Sequence, residues 1–171
     1  MKGIKHRQGF TLIEMLIVIA IIAILAMLAM PSMTPGATRK QVEESLDKIE
    51  RYKPMIQNNH QLRAALPGIT ENQLFPIHND DIAGMPKADE IIGNFIDNVA
   101  VKDGVITLRF SANANKVLQG KLLSVQPTYV KDSYNQDLDW SCGYKKIPDG
   151  KTAAGKNETN IERKYLPAIC R

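Results

Sequence analysis

The sequence predicts an α+β fold: one long N-terminal helix, apolar in its first half and amphipathic in its second, with the second half packed on a four-stranded antiparallel sheet. Three observations carry that prediction. Residues 10–30, FTLIEMLIVIAIIAILAMLAM, hold only two polar side chains, Thr11 and Glu14. From residue 37 onward, apolar side chains recur at helical spacing among many charges. Beyond residue 95 the pattern shortens to a period of two, and the chain ends with two cysteines, Cys142 and Cys170.

With 171 residues there is room for that helix and one modest globular domain. Hydrophobic content is 44%, yet the mean hydropathy is only −0.22, so a greasy N-terminus is averaged with a polar remainder. P-loop, GxSxG and HExxH patterns are missing, and no Cys–His pair has credible spacing. Nothing here reads as a catalytic centre, a cofactor site or a metal site.

The apolar run is 21 residues long, about 30 Å as a helix, which matches a bilayer core. A secretory signal peptide fits poorly, because its apolar region is shorter and a small-x-small cleavage site should follow. Ahead of the run, residues 1–9 (MKGIKHRQG) carry Lys2, Lys5 and Arg7 and no acid. Those charges keep the N-terminus cytoplasmic and send the body of the chain outward. Glu14 then sits inside a membrane segment, at a cost on the order of 2–4 kcal/mol, and an intramembrane acid is a functional suspect.

The junction RQG-FTLIEM resembles the processing site of type IV prepilins and related pseudopilins. The resemblance implies a leader over residues 1–9 and a hydrophobic assembly helix over 10–30. It implies a peptidase that cuts after Gly9 and N-methylates Phe10, and a filament-assembly role for the carboxylate of Glu14. Pro31 falls where such helices bend. The α-amino group exposed by cleavage is mostly cationic near neutral pH and suits pairing with a desolvated Glu14 of an older subunit. Glu14→Ala should therefore insert and be processed but polymerise poorly. Loss of the leader removes three basic residues, leaving 19 Lys+Arg against 18 Asp+Glu, so overall charge gives no argument for nucleic-acid binding.

Residues 31–66 form the amphipathic half of the helix, with Val42, Leu46, Ile49 and Ile56 on one face and a kink expected at Pro54, which lacks a backbone donor. Glu44–Lys48 and Asp47–Arg51 are i,i+4 pairs worth about 0.2–0.5 kcal/mol each. Residues 67–94 read as an irregular connection punctuated by Pro and Gly, with short helical turns at 71–74 and 88–92. His60 and His78 lack a ligand set and read as packing or surface residues. Asp80-Asp81 lacks the further oxygens that calcium needs.

The sheet is expected over 95–143. Strands 95–102 and 105–110 flank the turn Asp103-Gly104, a third spans 121–125 and ends at Gln126-Pro127, and a fourth covers 137–143. Residues Ile106, Leu108 and Phe110 should face the helix, and Val105, Thr107 and Arg109 should face outward. The segments LQGKLLSVQPTY, DWSC and YLPAICR resemble the second half of type IVa pilins.

Both cysteines lie in the exported part, so a disulfide is expected between Cys142 and Cys170. It encloses 27 residues, and closing such a loop stabilises by roughly 3–4 kcal/mol. Residues 142–171 thus form a disulfide-bounded C-terminal region. From residue 144 it carries seven Lys and Arg against three acids. Lys145, Lys146, Lys151, Lys156, Arg163 and Lys164 are candidate contacts for DNA or another polyanion.

As a pilin-like chain, the protein is expected to be a structural subunit, not an enzyme. It would sit in the inner membrane as a single-pass precursor with a periplasmic C-terminus, then form a homo-oligomeric surface filament for adhesion, motility or DNA uptake. The resemblance implies a prepilin peptidase/methylase, an assembly ATPase, a platform protein and an outer-membrane secretin as partners. Alternatives are a minor pilin with a DNA- or surface-receptor role and a type II secretion pseudopilin. The disulfide favours the pilus subunit over the pseudopilin.

Overall fold

The computed structural model describes residues 11–29, 35–133 and 136–171. The chain divides into two compact units, Met1–Met33 and Thr34–Arg171.

Among the described residues, the first unit holds one helix, α1 (Leu12–Ala29). Its 18 residues span about 27 Å at 1.5 Å each, within the stretch 10–30 for which the sequence predicts a helix. Among the described residues no helix is long and apolar enough to cross a membrane. Phe10 and Met30, the two ends of the predicted span, lie outside the described residues, as do Gly9 and the expected bend at Pro31.

The second unit begins with α2 (Pro35–Ile49) and α3 (Lys53–Ala64), joined by a 3-10 turn at Glu50–Tyr52. Pro54 explains the break. It has no N–H to give the Glu50 carbonyl, so the Lys53 N–H bonds that carbonyl instead and tightens the turn. What the sequence reads as one helix is therefore two. The apolar stripe is as expected: Val42, Ile49 and Ile56 are wholly buried, with Tyr52 and His60 added to it.

Between helix and sheet, α4 (Glu71–Leu74) is a short helix whose Thr70 and Gln73 cap each other reciprocally. A 3-10 turn follows at Asn79–Asp81. Residues 88–90 make only a turn, with the Glu90 N–H bonded to the Lys87 carbonyl at 3.0 Å. Asn79 fastens this connection to the sheet. Its Nδ2 donates to the carbonyls of Pro86 (3.1 Å) and Val99 (3.3 Å), and its Oδ1 accepts from the Val101 N–H at 2.7 Å.

The sheet contains β1 (Ile96–Lys102), β2 (Val105–Phe110), β3 (Leu122–Val130), β4 (Asp139–Cys142) and β5 (Lys151–Ala153), all antiparallel. Strand order is β1-β2-β3-β4, with β5 also paired to β3. The β1–β2 hairpin turns on Asp103 and Gly104, both at positive φ (52° and 75°). Ile106, Leu108, Leu123 and Val125 join Val42, Ile49 and Ile56 in one core.

Two expectations are corrected here. First, β3 does not end at Gln126-Pro127 but runs on to Val130. In an antiparallel strand a residue's N–H and C=O point to the same side. The Pro127 carbonyl accepts from the Ala154 N–H (2.9 Å), on the side that β2 has left and β5 has not yet taken up. The donor that proline lacks would face that gap, so the strand tolerates it. Second, the sheet does not stop at residue 143, because β5 adds a fifth strand from within the disulfide-bounded region.

Candidate functional site

Two regions carry functional candidates, one in each unit. In the first, α1 exposes its apolar side chains all round: Leu12 is 82% exposed, and Ile13, Leu16, Ile17 and Ile24 are exposed too. Glu14 in the first turn is the charged side chain on this rod. Thr11 holds it, donating to Oε2 from its backbone N–H (2.8 Å) and from Oγ1 (2.9 Å). The Glu14 N–H returns a bond to Thr11 Oγ1 at 3.4 Å. This is a reciprocal cap, and a negative charge at a helix N-terminus also suits the helix dipole. Thr11 was legible in principle, since T-x-x-E ahead of an apolar run is a capping signature. The membrane setting draws attention to the carboxylate alone.

The second region is built by the C-terminal chain end. Cys142 and Cys170 are joined, with 4.5 Å between their Cα atoms, and both are buried. The Tyr144 N–H donates to the Cys170 carbonyl (2.9 Å). Gly143 allows this approach: a Cβ there would lie 2.5 Å from the Cys170 carbonyl oxygen, and its φ is +59°. Arg39 of α2 reaches over with Nε donating to the Lys164 carbonyl at 3.0 Å.

This end of the chain also completes β3. Where β4 stops, residues 157–160 take over the same side. The Ser124 N–H donates to Thr159 Oγ1 (3.0 Å), the Leu122 N–H to Asn160 Oδ1 (2.7 Å), and the Asn160 N–H to the Leu122 carbonyl (3.1 Å). Asn157 Nδ2 donates to the Gly143 carbonyl. The outer face of β3 is consequently covered. Ser124, Gln126 and Thr128 are buried polar residues, and Gln126 Nε2 donates to the carbonyls of Ala154 (3.1 Å) and Gly155 (3.2 Å). From this disulfide-bounded segment Ile161 and Leu166 enter the core.

The six basic candidates do not form one uniform patch. Lys151 pairs with Asp139, Lys164 with Glu162 (2.7 Å), and Lys146 with Asp149 (3.5 Å). The Lys164 ammonium is shifted upward, chiefly by its bond to Glu162 and then by Tyr165. Arg163 stacks over the Tyr144 ring at 4.9 Å. Lys145 and Lys156 enter no ion pair among the described residues. Elsewhere, His78 lies at the surface, and its backbone N–H donates to Asp81 Oδ2 (2.8 Å). That bond, followed by the one from the His78 ring, holds the Asp81 carboxyl below its usual range. His60 is fully buried against Phe75, with neither ring nitrogen hydrogen-bonded.

Comparison with known proteins matches both regions. Residues 38–171 match a family described as pilin (bacterial filament), and residues 4–30 match the prokaryotic N-terminal methylation motif. A fimbrial protein of Neisseria meningitidis serogroup B is 34% identical over 174 residues, covering 96% of this chain and 94% of that protein. A type IV major pilin protein, PilE1, of Neisseria gonorrhoeae is 35% identical over 170 residues, covering 96% and 87% respectively. The fimbrial protein EcpC of Eikenella corrodens is 29% identical over 170 residues.

Proposed function

Since the chain belongs to the pilin family of bacterial filament proteins, and is a structural subunit of a type IV pilus rather than an enzyme, we propose that its first helix carries the assembly chemistry. The chain is made as an inner-membrane precursor with its C-terminus in the periplasm. The leader is removed after Gly9, and the amine of Phe10 is methylated by the same peptidase. That amine then meets Glu14 of a neighbouring subunit as the new subunit enters the filament. A matched N-terminal methylation motif and the apolar, exposed α1 support this reading.

The observation that carries it is Glu14, fixed at the first turn of a helix whose other described side chains offer no charge. Capping by Thr11 orients the carboxylate but supplies no cation, so an incoming ammonium adds a charge pair to an existing hydrogen bond. Away from water such a pair sets the axial register of helices that are otherwise interchangeable along their length. An ATPase, a platform protein and a secretin act on the filament from outside the chain. Intact-mass and fragment analysis of subunits from sheared filaments tests the processing step. The expected N-terminus is methylated Phe10. A retained leader, or a start at any other residue, would sink the proposal.

A further inference from the structure

A groove in the globular unit lies where α2 and the turn after it pass the β4 edge and the C-terminal turn, with a volume of about 150 Å³. Glu43, Asp47 and Glu50 line one wall, three carboxylates at i, i+4 and i+7, while Leu46, Trp140 and Ile169 supply apolar surface. Ile169 is 60% exposed, so this apolar surface is open to solvent. One cation is already present: Lys53 Nζ lies 2.5 Å from Glu50 Oε1 and 5.7 Å from the Trp140 ring centre. Glu43 and Asp47 enter no ion pair among the described residues; the Asp47–Arg51 pair expected from the sequence does not form, because the Arg51 guanidinium donates to the Tyr52 hydroxyl instead. A groove with an apolar wall, an aromatic ring and two uncompensated carboxylates suits a long alkyl stem ending in a cation.

We propose that this groove receives Lys156 of a second copy of the chain, a contact repeated along the filament; it rests on the reading that the chain polymerises. A growing filament needs a heterologous contact, two different surfaces of one subunit, because a patch that meets itself closes a dimer. Alternation along β3 separates the two surfaces. Val125 lines the groove. Gln126 points from the opposite face and bonds the Ala154 and Gly155 carbonyls, so the segment bearing Lys156 crosses that opposite face. Lys156 is exposed, whereas Lys146, Lys151 and Lys164 are already committed to acids of their own subunit. An acidic groove on one face and a lysine on the other stack subunits in a single direction.

Co-expression of Asp47→Cys and Lys156→Cys chains, followed by a short bis-maleimide on sheared filaments, tests the contact. The expected product is a mixed dimer, much reduced when Lys131→Cys replaces Lys156→Cys. Charge reversal gives a second readout. Asp47→Lys should lower filament yield several-fold, and Lys156→Asp in the same chain should restore much of it. Filaments that assemble without the mixed dimer, or an Asp47→Lys chain that assembles at full yield, would overturn the proposal. If the unaltered chain itself gave no sheared filaments, polymerisation would fall first and the proposal with it.

Discussion

The helix α1 and the pair α2–α3 are made of the same backbone and meet opposite fates. Along α2 and α3 the apolar residues occupy one face and vanish into the core, with Val42, Ile49 and Ile56 fully buried and charges left outside. Along α1 every face is apolar, and its large side chains are exposed. At about 25 cal/mol per Å² of apolar surface, α2 and α3 return their stabilisation within one chain, while α1 can realise its own only in lipid or against other helices. One region folds the subunit, and the other obliges it to find company.

Breaking the folding side should leave the assembly side chemically intact. The largest effect is expected from Ile56→Ala, which removes a wholly buried side chain from α3. A loss of about 2–5 kcal/mol is expected in urea unfolding of the full chain in detergent, with leader removal unchanged. Unfolding at wild-type denaturant concentration would show that α3 does not hold the core. Next comes the disulfide. Cys142→Ser with Cys170→Ser should cost roughly 3–4 kcal/mol by loop closure, and residues 154–161 should become sensitive to protease before β1 and β2 do. Equal protease resistance across the two regions would contradict the account of β3 being completed by the chain end.

A smaller effect comes from His60. Burial pushes its pKa below the ordinary 6.5, so the folded chain holds it neutral. The unfolded chain takes up the proton first as pH falls. Its contribution is therefore fully present above about pH 6.5 and is lost as pH drops towards the folded value, where the loss levels off. His60→Phe should flatten that part of the stability–pH curve, measured by thermal melting between pH 7.5 and 5. An unchanged slope would mean that other groups set it. α1 contains no histidine, so none of this pH dependence should come from it.

Legibility in the sequence followed the same division. The apolar run, the i,i+3/i+4 stripe and the alternation in 105–110 are repeated patterns, and they located α1, the helical stretch that α2 and α3 divide between them, and the β1–β2 hairpin. What escaped was held by single contacts. Lys151–Ala153 is too short for a pattern and is a strand only because β3 offers it a free side. Pro127 reads as a stop unless one knows which side its nitrogen faces. Asn79 looks like a loop residue but fastens the connection to β1 through two hydrogen bonds, to Val99 and Val101, and braces the connection itself through a third to Pro86. In the site, Glu14 and the cysteines stood out by type and place. Thr11 was legible as the first residue of a T-x-x-E cap, whereas the acidic groove assembled from α2, β4 and the chain end needed coordinates.

The charge on α1 is the point on which the account turns. Glu14→Gln keeps the shape of the side chain, and the Thr11 bonds to its oxygen, while removing only the charge. Filament yield should be measured by shearing and quantifying subunits, with membrane-held subunit as the denominator. A fall of about ten-fold or more, with the leader removed and the globular unit as stable as before, is the predicted result; it corresponds to about 1.4 kcal/mol or more per subunit addition. Filaments at wild-type yield would show that an uncharged side chain suffices, and that no ammonium–carboxylate pair sets the register.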